Sequence, residues 1–169
     1  VGMLMISCIS FYDDVSSLPP RIRLLVHFVA MLLMFQQLGL ITSSLWWLIP
    51  IMLFVCAGAI NVFNFMDGVN GITGGYATVV LVALLYVNHH VIEFVDPHFI
   101  LFSLISVLVF CFFNFRTRAK CFAGDVGAVA IAFVILFFIC KLVLLTNDFS
   151  WFAFLTVYGV DGTLTLIHR

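Results

Sequence analysis

The chain has 169 residues, is 64% hydrophobic and 9% charged, and carries a formal net charge of −1. A soluble domain is normally about 25% charged, so a mean hydropathy of +1.26 excludes an ordinary soluble fold and predicts a polytopic membrane protein. The near-zero net charge argues against a nucleic-acid partner. Five cysteines (Cys8, Cys56, Cys111, Cys121, Cys140) without C-x-x-C spacing argue against a disulfide frame or zinc site.

Residues 1–12 read as the last turns of a spanning helix rather than a signal peptide, and the chain reads as an internal portion of a longer protein. Asp13, Asp14 and a turn, S-S-L-P-P, follow before Arg21 and Arg23; the prolines suit a loop or a helix start. Further apolar runs lie at 22–38, 45–60, 74–88, 98–115, 127–146 and 151–167. A spanning helix needs ~17–25 residues, which makes 45–60 and 74–88 marginal. The expectation is one all-α integral membrane domain over 1–169, a bundle of six spans and the end of a seventh. Pro50, inside a short run, predicts a kink.

Six spans impose an alternation of sides. Residues 13–21, 61–73, 116–126 and 168–169 share one side, and 39–44, 89–97 and 147–150 share the other. Arg21, Arg23, Arg116, Arg118, Lys120 and Arg169 fall on the first side, leaving only Lys141 of the seven basic residues. By the positive-inside rule that side is cytoplasmic. Trp46, Trp47 and Trp151 then stand near outer boundaries, where aromatic residues anchor helices. His89, His90 and His98 read as outer loop residues, and His27 as a polar contact between helices.

The same alternation brings Asp13, Asp14, Asp67 and Asp125 to the cytoplasmic side, while Asp161 lies within the last span. The stretch Asn61 to Gly75, N-V-F-N-F-M-D-G-V-N-G-I-T-G-G, concentrates turn and cap residues between two apolar runs. It is expected to leave one helix and open the next. Adjacent carboxylates at Asp13 and Asp14 repel one another unless a cation sits nearby. Magnesium suits such a place, because it takes one or two carboxylates and fills its shell with water and substrate phosphates. Asp125 lies in A-G-D-V-G-A, whose glycines let backbone approach a phosphate closely. Arg116, Arg118 and Lys120 offer a positive edge for phosphate oxygens, or simply an ordinary positive-inside loop.

Taken together, F-Y-D-D followed by R-I-R-L-L-V-H-F, then N-V-F-N-F-M-D-G-V-N-G-I-T-G, G-D-V-G and V-Y-G-V-D-G-T-L-T-L-I-H-R resemble the polyprenyl-phosphate N-acetylhexosamine-1-phosphate transferases, the WecA/MraY-like membrane enzymes. The resemblance implies a magnesium enzyme of the bacterial inner membrane with its site facing the cytoplasm. It would transfer a sugar 1-phosphate from a UDP-sugar to undecaprenyl phosphate and release UMP. The wording N-F-M-D-G-V-N-G is closer to the branch that starts O-antigen and related surface polysaccharides. By motif position, Asp13 and Asp14 match the aspartate pair that engages lipid phosphate or metal, and Asn61, Asn64 and Asp67 match the nucleotide-sugar and active-site loop. Asp125 matches the aspartate regarded as the metal ligand, with Asp14 as a second, and Arg23 a basic residue after the pair. On this reading Asp13, Asp14 and Asp67 are catalytic candidates, and Asn61, Asn64, Arg23, Arg116, Arg118 and Lys120 bind substrate. The bilayer is a further partner, and a homodimer an expected assembly. Three departures stand out: Asn70 for an aspartate of the peptidoglycan branch, Ala128 for a serine and Ala123 for a methionine. The histidine-rich motif expected after the final helix is not reached by His168-Arg169.

Competing readings remain at this stage. A transporter or ion-pathway protein would place carboxylates mid-helix on facing helices. A CDP-alcohol phosphotransferase would carry more aspartates along helix ends, and a partial chain could be non-catalytic.

Overall fold

The computed structural model describes residues 1–16 and 18–168. Among them are seven α-helices: α1 (Gly2–Ser16), α2 (Pro20–Gln37), α3 (Ile49–Met66), α4 (Ile72–His90), α5 (Pro97–Asn114), α6 (Gly124–Thr146) and α7 (Thr156–Ile167). Short 3-10 turns, Trp46–Leu48 and Phe149–Leu155, lead into α3 and α7. The fold is all-helical, as the apolar runs predict.

Four helical stretches are long and apolar enough to cross a membrane: Trp46–Met66, Ile72–His90, Pro97–Asn114 and Gly124–Thr146. The chain is therefore a multi-pass membrane protein. The other three helices differ for identifiable reasons. α1 has 15 residues and α7 has 12, short of a full span, and α2 carries Arg21, Arg23, His27, Gln36 and Gln37 among its 18. The run 151–167 is thus divided between a 3-10 entry and a short helix. Pro50 stands in the first turn of α3, where its missing N–H breaks no intrahelical bond, rather than at a kink inside the span.

α6 is the centre of the bundle. It packs against α1, α3 and α4, and 61% of its most apolar stretch is buried. Ala128 and Ala132, one turn apart and fully enclosed, let neighbours close in. Phe133, Ile135, Leu136, Phe138, Ile139 and Leu142 are among the other core residues on this helix. α5 joins through α4, α2 through α1 and α3, and α7 through α3. The α3–α7 approach depends on Gly162, where a Cβ would sit 2.8 Å from Val62 Cγ1.

At one end of the bundle, the α4–α5 turn is held by a single buried amide. Asn88 Oδ1 accepts from the N–H groups of Phe94 and Val95 at 2.9 and 3.1 Å, and its Nδ2 donates to the Val95 carbonyl at 3.0 Å. The opposite end gathers the α1–α2, α3–α4 and α5–α6 connections, and there the polar residues converge.

Candidate functional site

Asp13 closes α1 and shapes the reversal into α2. Its Oδ1 accepts from Leu18 N at 2.6 Å, and its Oδ2 pairs with Arg23 Nη1 at 2.9 Å. The same guanidinium nitrogen lies 3.3 Å from Asp125 Oδ2. One cation thus bridges carboxylates from α1 and α6, with side chains 30% (Arg23), 14% (Asp13) and 31% (Asp125) exposed. Asp14 is exposed beside them. Loss of solvent, then the charges of Asp125 and Asp13, push its carboxyl above the usual carboxylate value. Such mutual repulsion is what a nearby cation relieves.

Asp125 sits in the first turn of α6, where helix N–H groups favour negative charge. The residue before it, Gly124, has φ +61°, a left-handed conformation that glycine adopts without steric cost. Gly124 N donates to Asp67 Oδ2 at 2.9 Å. Asp67 itself caps α3 and is 9% exposed. The Thr73 hydroxyl and the Ala123 N–H also lie near enough to favour its ionised form. Burial pushes its carboxyl above the usual value, these donors oppose the rise, and the Asp125 charge adds to it.

The stretch from Asn61 divides as its composition suggests, but late. Asn61 to Met66 are still helical, and only Asp67 to Gly71 form the turn. Asn61 is exposed and Asn64 half-buried, three residues apart and so on one helix face. Gly71, at φ +85°, opens α4 and donates its N–H to Asn114 Oδ1 at 2.7 Å. Asn114 Nδ2 in turn donates to the Cys121 carbonyl at 2.8 Å. Asn70 Nδ2 reaches the Arg116 carbonyl at 3.3 Å. These bonds tie the α3–α4 turn to the α5–α6 connection.

Arg116, Arg118 and Lys120 are exposed along that connection, and among the described residues none pairs with a carboxylate. Arg116 lies over the Phe112 ring at 5.1 Å, with Nε donating to the Phe112 carbonyl at 3.3 Å. One turn into the bundle from the Arg23–Asp13 pair, Ser10 and His27 are buried, and Ser10 Oγ and His27 Nε2 have no hydrogen-bond partner among the described residues. The polar contact expected of His27 is not made at that nitrogen. His98 stays at the far end, paired with Asp96 at 2.8 Å.

Asp13, Arg23, Asp67 and Asp125 are therefore joined by direct or one-residue links, with Asp14 within electrostatic reach. Asn61, Asn64 and the three loop cations lie at the same end without bonds to that group. Comparison with known families returns one match: a model described as Glycosyl transferase family 4 covers residues 1–143. The chain belongs to glycosyl transferase family 4. No curated protein and no solved structure matches it.

Membership makes the chain a transferase of the WecA/MraY-like, polyprenyl-phosphate sugar-1-phosphate class. The matched region contains every candidate residue from Asp13 to Asp125, whereas Tyr158 and the V-Y-G-V-D-G segment of α7 lie beyond it. Sequence reasoning missed Asn114, Thr73 and Tyr158. Asn114 carried a usable signal, being the last polar residue of an apolar helix directly before a basic loop; Thr73 and Tyr158 stand inside quoted motifs, but nothing there names their partners.

Members of this family typically use magnesium. Among the described residues, no three of His, Cys, Asp and Glu gather closely enough to hold a metal by themselves. Magnesium does not require three, since phosphates and water complete its shell. Asp125 and Asp14 present hard, solvent-reachable oxygens, one Asp125 oxygen being shared with Arg23, and the repulsion among the carboxylates favours a cation. That donor set fits the ion.

Proposed function

We propose that this family 4 transferase moves N-acetylhexosamine 1-phosphate from a UDP-sugar to undecaprenyl phosphate. The site would face the cytoplasm at the bacterial inner membrane, in the first membrane step of a surface polysaccharide. The observation that carries this reading is the bridge from Asp13 through Arg23 to Asp125. It gathers acid and base from distant parts of the chain at the bundle end that also bears the free cations Arg116, Arg118 and Lys120. A transporter would want its carboxylates mid-helix; Asp13, Asp14, Asp67 and Asp125 all stand at helix ends.

In the proposed reaction, an oxygen of the lipid phosphate attacks the sugar-bearing phosphorus of the UDP-sugar. The bond to the bridging oxygen breaks, UMP leaves with that oxygen, and the lipid retains a diphosphate carrying the sugar. Nucleophile and target are both anionic, so charge neutralisation and positioning dominate the barrier. Magnesium, held by Asp125 and Asp14, would supply Lewis-acid neutralisation of the diphosphate. Arg23, with Asp13 fixing its position, holds positive charge where the two phosphates meet. Asp13, the other member of the pair, would orient the lipid phosphate, or take its proton when it arrives as a monoanion. Asn61 and Asn64 offer amide groups to the sugar nucleotide, and Arg116, Arg118 and Lys120 draw anionic substrate to the surface.

The test is UMP release from a panel of UDP-sugars with undecaprenyl phosphate and magnesium. The chain is expected to turn over an N-acetylhexosamine donor, and Asp125→Asn to abolish release. Near-normal turnover by that variant overturns the metal assignment.

A further inference from the structure

Asp67 differs from Asp13, Asp14 and Asp125 at this end in being buried. A carboxylate offers about four lone-pair directions, and Asp67 accepts from Gly124 N at 2.9 Å, has the Thr73 hydroxyl and the Ala123 N–H close by, and is 9% exposed. A group that binds substrate or moves its proton needs an open direction and access. Asp67 has little of either.

Thr73, beside Asp67, in turn meets α7. Tyr158 OH donates to Thr73 Oγ1 at 3.3 Å. Tyr158 is 4% exposed, stacks on Tyr76 at 4.0 Å with the rings 6° apart, and meets Phe63 at 4.7 Å. The Tyr76 hydroxyl bonds the Phe154 carbonyl, just before α7. Ring stacking and hydrogen bonding therefore fix how α7 sits against α3 and α4. At the other end of the chain, Gly124 is covalently next to Asp125, so any shift in the Asp67–Gly124 bond moves the Asp125 carboxylate.

We infer that Asp67, Thr73 and Tyr158 are positioning residues, which set the Asp125 carboxylate through Gly124 and couple it to the seating of α7. The inference rests on the proposed function only in taking Asp125 as the cation ligand. Tyr158 lies outside the family match, so this gives α7 a role that the matched motifs do not. Misplacing a reacting group by about 1 Å costs on the order of a hundredfold in rate, and loss of supporting bonds typically weakens metal binding ~10–100-fold.

The experiment compares Thr73→Val, Thr73→Ser and Tyr158→Phe with the unaltered chain in lipid nanodiscs. Mn2+ is the probe, followed by its electron paramagnetic resonance signal, alongside UMP release and thermal midpoint. Thr73→Val is expected to raise the half-saturating Mn2+ concentration roughly tenfold, and Tyr158→Phe to raise it less. kcat should fall more than KM rises, and Thr73→Ser should restore both. Unchanged Mn2+ binding in Thr73→Val overturns the inference. So does a Thr73→Ser variant no better than Thr73→Val, or a fall in thermal midpoint alone, or an unaltered chain that binds no Mn2+. Mn2+ binding needs no turnover. A chain that responds as expected but releases no UMP from any donor removes the transferase reading and leaves the positioning inference standing.

Discussion

Arg23 and Asp125 stand 102 residues apart in sequence and 3.3 Å apart in space, with Asp13 on the same guanidinium nitrogen at 2.9 Å. Both contacts come from that one nitrogen, held on a rigid planar group, whereas a lysine ammonium is a strongly hydrated point charge on a flexible stem. Arg23→Lys is expected to fold and insert normally. The side chains involved are part-exposed, so the stability change should stay below ~1 kcal/mol. Turnover should fall by about a hundredfold, because the two carboxylates lose a shared reference point. Initial rates and thermal midpoints of purified protein check both halves of this statement.

A second prediction concerns pH. The folded chain holds the Asp67 carboxyl above its usual value of 3.8, chiefly through burial. The folded state therefore takes up this proton more readily than the unfolded one, and stability falls as pH rises through that window. Asp67's contribution is fully present below the unfolded value and is lost as pH climbs past the folded one. The difference in thermal midpoint between the unaltered chain and Asp67→Asn should accordingly shift in favour of the unaltered chain as pH is lowered from 7 to 4. A constant difference, or a shift the other way, would contradict the assignment.

The α4–α5 contact gives a packing prediction. A Cβ at Gly74 would lie 2.6 Å from Cys111 Sγ and 3.2 Å from Phe110 Cε1. Gly74→Ala should destabilise by about 1–3 kcal/mol through overpacking. Adding Cys111→Ala removes the sulfur and should recover most of that loss, leaving the milder Phe110 contact. A double-mutant cycle on thermal or denaturant midpoints measures the coupling, and additive losses would show that the two residues do not compete for the same space.

The helices were legible where hydropathy alone decides. The run 98–115 became Pro97–Asn114 and the run 127–146 became Gly124–Thr146, because a bilayer imposes length and apolarity together. Grouping Asp13, Asp67 and Asp125 at one end followed from counting crossings, which needs no knowledge of packing. What stayed hidden was orientation. Asp67 reads like any acid in a polar turn, yet it faces inward to Gly124, while Asn61, in the same stretch, remains exposed. Asn88 looks in sequence like an asparagine that merely ends a helix, and its role as a loop clamp depends on which backbone groups come within reach. The Tyr158–Thr73 bond joins residues 85 apart, and no local pattern announces it.

α6 is both the most apolar of the four long helices and the most enclosed by protein. Lipid tails and leucine side chains are equally apolar, so this helix can leave the translocon for the bilayer without waiting for any neighbour. Arg23 is made long before Asp125, and on the ribosome it has only half of its eventual counter-charge. α1 and α3 thus meet their most extensive packing partner only once this late, greasy segment has been made.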